Sequence, residues 1–275
     1  MKKYIFMAVA GMLALSSCSN DDEPIAQNAP GQMTFTAGYN EGGETRATLN
    51  GSTKKVSFDA NDKISILSAK NTNTQFTTSA GGASATFSGT ATDDSKFYAV
   101  YPYTAGLTLS GDVISGIVIP TGQWNSNWER DDISYSGWDP KAPIAYATTT
   151  GSSLTFHNAC AILKVTITGN GSYAIFTISA NEPLAGTFSL DTSTGTLTPT
   201  YGSTTVAVGT GNYDKSFDTE GNKTAYIAIA PGTYTNFTLY LTNEDGDHKS
   251  KTKSGSVTFE AGKIYDLGSY YIEIF

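Results

Sequence analysis

The chain has 275 residues, 12% of them aromatic, and its 17 Lys and Arg against 25 Asp and Glu give a formal net charge of −8. An acidic surface of this kind argues against nucleic acid and anionic membranes as partners. With Cys18 and Cys160 the only cysteines and His157 and His248 the only histidines, there is little material for a disulfide framework, a zinc site or a histidine-based triad.

The first element is an export signal. Lys2 and Lys3 precede an apolar run from Ile5 to Leu15, too short to cross a bilayer as a helix. Leu15-Ser16-Ser17-Cys18 has the form of a lipoprotein signal-peptidase site, so residues 1–17 read as signal peptide and Cys18 as the lipidated start of the mature chain. Loss of two lysines and no acid takes the charge to −10. Residues 18–31, with Asp21, Asp22 and Glu23, form an acidic tether. Acyl chains on Cys18, each buried methylene contributing about 0.8 kcal/mol, anchor that end in the outer membrane. Lipidation consumes one thiol and leaves Cys160, which sits in Ala159-Cys160-Ala161-Ile162-Leu163 and reads as a packed strand residue rather than a reactive group.

From residue 32 the chain reads as all-β. Period-two alternation, with Thr, Val, Ile, Tyr and Phe enriched and Gly, Asn, Asp or Pro at the ends, marks 33–39, 63–67, 96–103, 113–119, 162–167, 225–229, 237–241 and 257–259. Short strands joined by turns such as Pro231-Gly232 predict antiparallel sandwiches. A second β pattern beginning near Leu154 places a boundary at about 155, giving domains 32–155 and 156–275.

The least strand-like internal segment, 121–143, carries Trp124, Trp128 and Trp138 together with Glu129, Asp131, Asp132 and Asp139, and reads as an excursion of the first domain. The tryptophans are candidates for stacking on a glycan or host ligand; the plainer role is to pin the loop to the sandwich. Asp131, Asp132 and Asp139 are candidates for calcium or a glycosidase pair, but acids in a polar loop are usually solvated, so neither metal nor catalytic residue is assigned. His157 reads as a structural histidine at a strand start and His248 as an exposed turn residue. No nucleophile elbow, phosphate loop or dinucleotide fingerprint occurs, and neither a cofactor nor enzymatic activity is expected.

An ordered set of short motifs carries a resemblance. Phe35 to Tyr39 stands ahead of Glu44-Thr45-Arg46-Ala47-Thr48, followed by Asn61-Asp62-Lys63-Ile64, Phe97-Tyr98-Ala99-Val100-Tyr101-Pro102-Tyr103 and Ile119-Pro120-Thr121-Gly122-Gln123. After the loop come Ala145-Tyr146-Ala147, Phe156-His157-Asn158-Ala159-Cys160-Ala161-Ile162-Leu163-Lys164 and Ala261-Gly262-Lys263-Ile264-Tyr265-Asp266-Leu267. In this order they resemble the fimbrillin family, the lipoprotein pilus subunits of Bacteroidetes, over essentially the whole mature chain.

The resemblance implies two tandem transthyretin-like antiparallel β-sandwich domains in a precursor carried to the cell surface as a lipoprotein, the acidic tether resembling a surface-export signal. It also implies an arginine-specific cut after an early arginine, here Arg46, leaving Ala47 as the new N-terminus. Arg46 lies in a polar, glycine-containing segment accessible to a protease, and Arg130 is the only other arginine. The strand released would be 33–39, with Met33, Phe35, Ala37 and Tyr39 on one face, and the charge would move from −10 to −6. An exposed β edge recruits another strand. The candidate donor is the C-terminal tail with Tyr270, Ile272 and Ile274; its competing role is an ordinary last strand of its own domain. The expected function is a structural subunit, shaft or tip, of an adhesive cell-surface fimbria, assembling with other subunits or copies of itself. The alternative is a permanently anchored lipoprotein that binds glycan or a host ligand.

Overall fold

The computed structural model describes residues 29–39, 48–49, 56–123, 136–138, 142–169, 173–209, 223–243 and 248–272. In chain order the strands are β1 (Gly31–Tyr39), β2 (Thr48–Leu49), β3 (Val56–Ser57), β4 (Lys63–Leu67), β5 (Thr74–Thr78), β6 (Ser84–Ala91) and β7 (Phe97–Tyr101). Then follow β8 (Thr108–Ser110), β9 (Val113–Ile119), β10 (Gly122–Gln123), β11 (Ser136–Trp138), β12 (Ala145–Thr149), β13 (Ser153–Asn158), β14 (Ala161–Gly169), β15 (Tyr173–Ser179) and β16 (Ala185–Asp191). The last are β17 (Thr196–Ser203), β18 (Thr205–Gly209), β19 (Lys223–Ile229), β20 (Gly232–Tyr234), β21 (Thr238–Asn243), β22 (His248–Thr252), β23 (Val257–Phe259) and β24 (Ile264–Ile272). The described chain is all-β.

Seven strands in the order β1-β13-β12-β7-β4-β5-β6 close into a barrel, so the layers expected of a sandwich are here joined at both margins. The remaining sheets are β10-β18-β15-β21-β22, β11-β19-β14-β24, β17-β16-β9-β8 and two short pairs, β2-β3 and β20-β23. Most pairings are antiparallel, as turn-connected strands allow. The parallel ones, β1 with β13, β10 with β18, β11 with β19 and β14 with β24, join segments far apart in sequence.

The sheets do not divide at one point in the chain. β13 straddles residue 155, and β9, β10 and β11 from before it pair with β16, β18 and β19 from after it. β8 to β11, all before residue 155, therefore belong to sheets built with strands of the second half. Two hydrophobic cores result. One fills the barrel with Phe35, Phe58, Ile64, Ile66, Phe76, Phe87, Phe97, Tyr101 and Phe156 among others. The second gathers Ile162, Leu163, Phe176, Phe188 and Ile227, and it also takes Leu67, Tyr98, Val100, Ile114, Ile117 and Ile119 from the first half.

β7 belongs to both cores. Phe97, Ala99 and Tyr101 point into the barrel while Tyr98 and Val100 enter the second core, which is why Phe97-Tyr98-Ala99-Val100-Tyr101 has no polar alternation. The Ile119-to-Gln123 motif has a similar structural basis. Gln123 is buried and its amide pairs with the backbone of Ala228, donating to the carbonyl at 2.6 Å and accepting from the N–H at 2.9 Å, so it splices β10 to β19.

Gly186 of β16 has φ +119°, and a Cβ there would lie 2.2 Å from the Tyr201 carbonyl oxygen of β17. Gly186→Ala should cost about 2–3 kcal/mol through strain and displacement of β17, read as a lower urea midpoint at unchanged slope.

Candidate functional site: the strand that closes the barrel

β1 is the seam of the barrel. It runs antiparallel to β6 from Gly31↔Ala91 to Gly38↔Ser84 and parallel to β13 from Thr36↔Ser153 to Tyr39↔Phe156. Its odd-numbered side chains turn inward: Phe35 and Ala37 are fully buried, and Met33 and Tyr39 pack against the same core from its ends. Thr34 and Thr36 face solvent. Phe35 meets Phe76 and Phe97 edge-on at 5.5 and 5.2 Å, and Tyr39 stacks on Phe58 at 5.2 Å while leaning on Phe156 at 5.8 Å. At about 1.5–3 kcal/mol each, Met33, Phe35 and Tyr39 together contribute roughly 5–9 kcal/mol, an upper figure, to holding the strand.

The Tyr39 end is less well satisfied. Its hydroxyl is buried and has no hydrogen-bond partner among the described residues. Burial, and then the nearby Asp62 carboxylate, push its pKa well above the ordinary tyrosine range. Asp62 sits in the turn opened by Asn61, which has φ +72°; its Oδ2 accepts the Asp59 N–H at 2.8 Å and the Tyr101 O–H at 3.2 Å. Burial raises the Asp62 pKa, and these two hydrogen bonds only partly offset that rise. The sequence shows Asn61-Asp62 as a turn. The meeting of Asp62 with Tyr39 and Tyr101 comes from barrel closure, and no local signal marks it.

Other expected positions are scattered. Cys18, Arg46, Ala47, Trp124, Trp128, Arg130, Asp131, Asp132, Asp139 and Ile274 lie outside the described residues. Trp138 lies on β11, in register with Tyr226 of β19. Tyr270 and Ile272 lie on β24, paired with Ile167 and Gly169 of β14, so the tail as far as Ile272 is a strand of its own sheet. Tyr270 packs against the second core, and the Lys251 ammonium lies 5.2 Å from its ring centre. Cys160 is buried, its sulfur accepts the Ile144 N–H at 3.4 Å, and burial pushes its thiol up to about 12, in keeping with a packing role. His157 is exposed beside the Tyr146 ring at 5.8 Å.

A polar cleft of about 510 Å³ lies between Ser68, Asp94, Lys96, Tyr98 and Asp112. Its main feature is structural: Asp112 accepts from Lys96 and from the Tyr98 hydroxyl, both at 2.6 Å, while its carbonyl accepts the Thr192 N–H at 2.9 Å. That set ties the start of β7 to the β8–β9 turn and the end of β16. Among the described residues no cluster of three or more His, Cys, Asp and Glu has the geometry to hold a metal ion.

The fimbrillin-like family profile matches residues 45–269. The chain belongs to the fimbrillin-like family. Of this fimbrillin-like chain's 275 residues the match leaves out β1 and starts one residue before Arg46. Two solved structures share the fold. A candidate cell-adhesion protein from Bacteroides ovatus is 14% identical with a TM-score of 0.52, over 87% of this chain and 92% of that one. Another from Bacteroides uniformis is 17% identical with a TM-score of 0.51, over 86% of this chain and 92% of that one. No curated protein matches the sequence.

Two substitutions probe the seam. Tyr39→Phe removes a buried hydroxyl that bonds to nothing, so it should leave stability unchanged or raise it by about 1 kcal/mol in chemical denaturation. Because the folded pKa of Asp62 is raised, its contribution to stability is full below the unfolded value of about 3.9 and is lost as pH rises through the folded pKa. Asp62→Asn lacks that loss, so its stability relative to wild type should increase from pH 3 to pH 7. A difference independent of pH would show that the folded carboxylate is unperturbed.

Proposed function

We propose that this protein is a structural subunit, shaft or tip, of a cell-surface fimbria, exported as an outer-membrane lipoprotein on Cys18, cut after Arg46 and joined to its neighbours by strand exchange for adhesion. The observation that carries this reading is the position of β1, the seam of a closed barrel and the last described strand before Arg46. Removing it would leave β6 and β13 with unpaired backbone on either side of an apolar groove.

The edges elsewhere favour this groove as the pairing site. Among the described strands, the other sheets end in edges that discourage pairing: β8, β10 and β11 are short, and β17 carries Pro199 beside a break in register. β22 carries an exposed Lys251, and β24 is bent at Gly268, φ +86°, next to a shift in register. β6 and β13 have no comparable protection, because β1 covers them. Membership of the fimbrillin-like family supports assembly with other fimbrial subunits or with copies of this chain. The cut would also remove the lipid anchor, turning a tethered precursor into an assembly unit.

N-terminal sequencing of cell-surface material should give a start at Ala47, and unboiled gels should show a ladder of stable multimers. Arg46→Ala should abolish both and leave monomer beginning at acylated Cys18. A ladder that persists in Arg46→Ala would exclude this cut as the trigger.

A further inference from the structure

The inward side chains of β1 run large, small, large along the groove, and that order bears on what can replace the strand; the inference rests on the strand-exchange reading above. At one level Phe35 lies against Phe97 and Phe76. Two residues on, Ala37 is 0% exposed and sits in register between Ala85 of β6 and Leu154 of β13. Two further on, Tyr39 stacks on Phe58. Across the interior β7 presents the same order, Phe97, Ala99 and Tyr101. The Phe35–Phe97 contact and the shared neighbourhood of Tyr39, Tyr101 and Asp62 bring the two strands face to face. Both strands therefore set a fully buried alanine between two aromatic levels.

We propose that this groove selects the strand offered by another subunit through the size of a single side chain. The accepted pattern is large, any, small, any, aromatic, with Ala, Gly or Ser at the place of Ala37. The strand runs antiparallel to β6 and parallel to β13. A branched side chain at the middle place has no volume to enter, because the walls there are the neighbouring strands and two aromatic layers. The positions of Thr34 and Thr36 face solvent and tolerate any residue. Applied to the tail, the rule disfavours Tyr270-x-Ile272-x-Ile274, which sets isoleucine at the place of Ala37 when Tyr270 takes the place of Phe35. In sequence, the alternate register Tyr265-x-Leu267-x-Ser269-x-Tyr271 offers two large residues, a small one and an aromatic for the places of Met33, Phe35, Ala37 and Tyr39.

The test uses the full chain carrying Arg130→Lys, purified in detergent and cut with an arginine-specific protease, with synthetic peptides of residues 32–39 as competitors. The wild-type peptide should block the multimer ladder, and an Ala37→Gly peptide should match it within about three-fold. An Ala37→Ile peptide should be about ten-fold weaker, or more, and a Phe35→Ala peptide roughly a hundred-fold weaker. Equal blocking by the Ala37→Ile peptide overturns the size rule and leaves strand exchange standing. If the cut chain forms no ladder, direct binding of labelled peptides decides: discrimination at position 37 upholds the rule although polymerisation fails, and absence of binding overturns both.

Discussion

Strand β7 has no solvent face, and the architecture depends on that constraint. Phe97, Ala99 and Tyr101 fill the barrel while Tyr98 and Val100 enter the second core, so a shift of this strand would disturb both. Because interiors are close-packed, such a shared wall couples the two cores rigidly. The Lys96–Asp112 ion pair, with the Tyr98 hydroxyl on the same carboxylate, pins its beginning. Both charged side chains are substantially exposed, so the contact serves position more than stability.

β1 stands opposite that wall and is its counterpart in composition but not in embedding. Where β7 is buried on both faces, β1 shows Thr34 and Thr36 to water and packs on one face only. Its inward face carries Phe35, Ala37 and Tyr39 onto the same barrel interior that β7 lines with Phe97, Ala99 and Tyr101. The Tyr39 hydroxyl is buried without a partner among the described residues, which weakens the hold at the end nearer Arg46. Loss of β1 would remove one wall of one core and leave β7, and the second core behind it, intact.

Much of the secondary structure was legible because period two survives wherever one face is wet. The alternation at 33–39 places Phe35 and Ala37 inward as expected, and the short turn-bounded segments are strands. Where both faces are buried, as at Phe97 to Tyr101, the pattern loses its polar half, and the sequence signals a strand without saying what lies on either side. The grouping of strands into sheets was not legible at all. Gln123 ends the Ile119-to-Gln123 motif with no local sign of a distant partner, yet its amide completes a backbone pairing with Ala228 across 105 positions of sequence. β9, read as part of the first half, pairs with β16 of the second.

The sequence by itself determined that the chain is all-β, which face of 33–39 turns to a core, and which motifs place it among fimbrillins, because side-chain alternation and turn chemistry act over a few residues. Only the tertiary structure decided that this strand is the seam of a closed barrel, that its alanine is fully buried between Ala85 and Leu154, and that Asp62 lies beside Tyr39 and Tyr101. Those facts depend on parallel pairing between β1 and β13 and on packing across the barrel, contacts between residues tens to more than a hundred positions apart that no local pattern encodes.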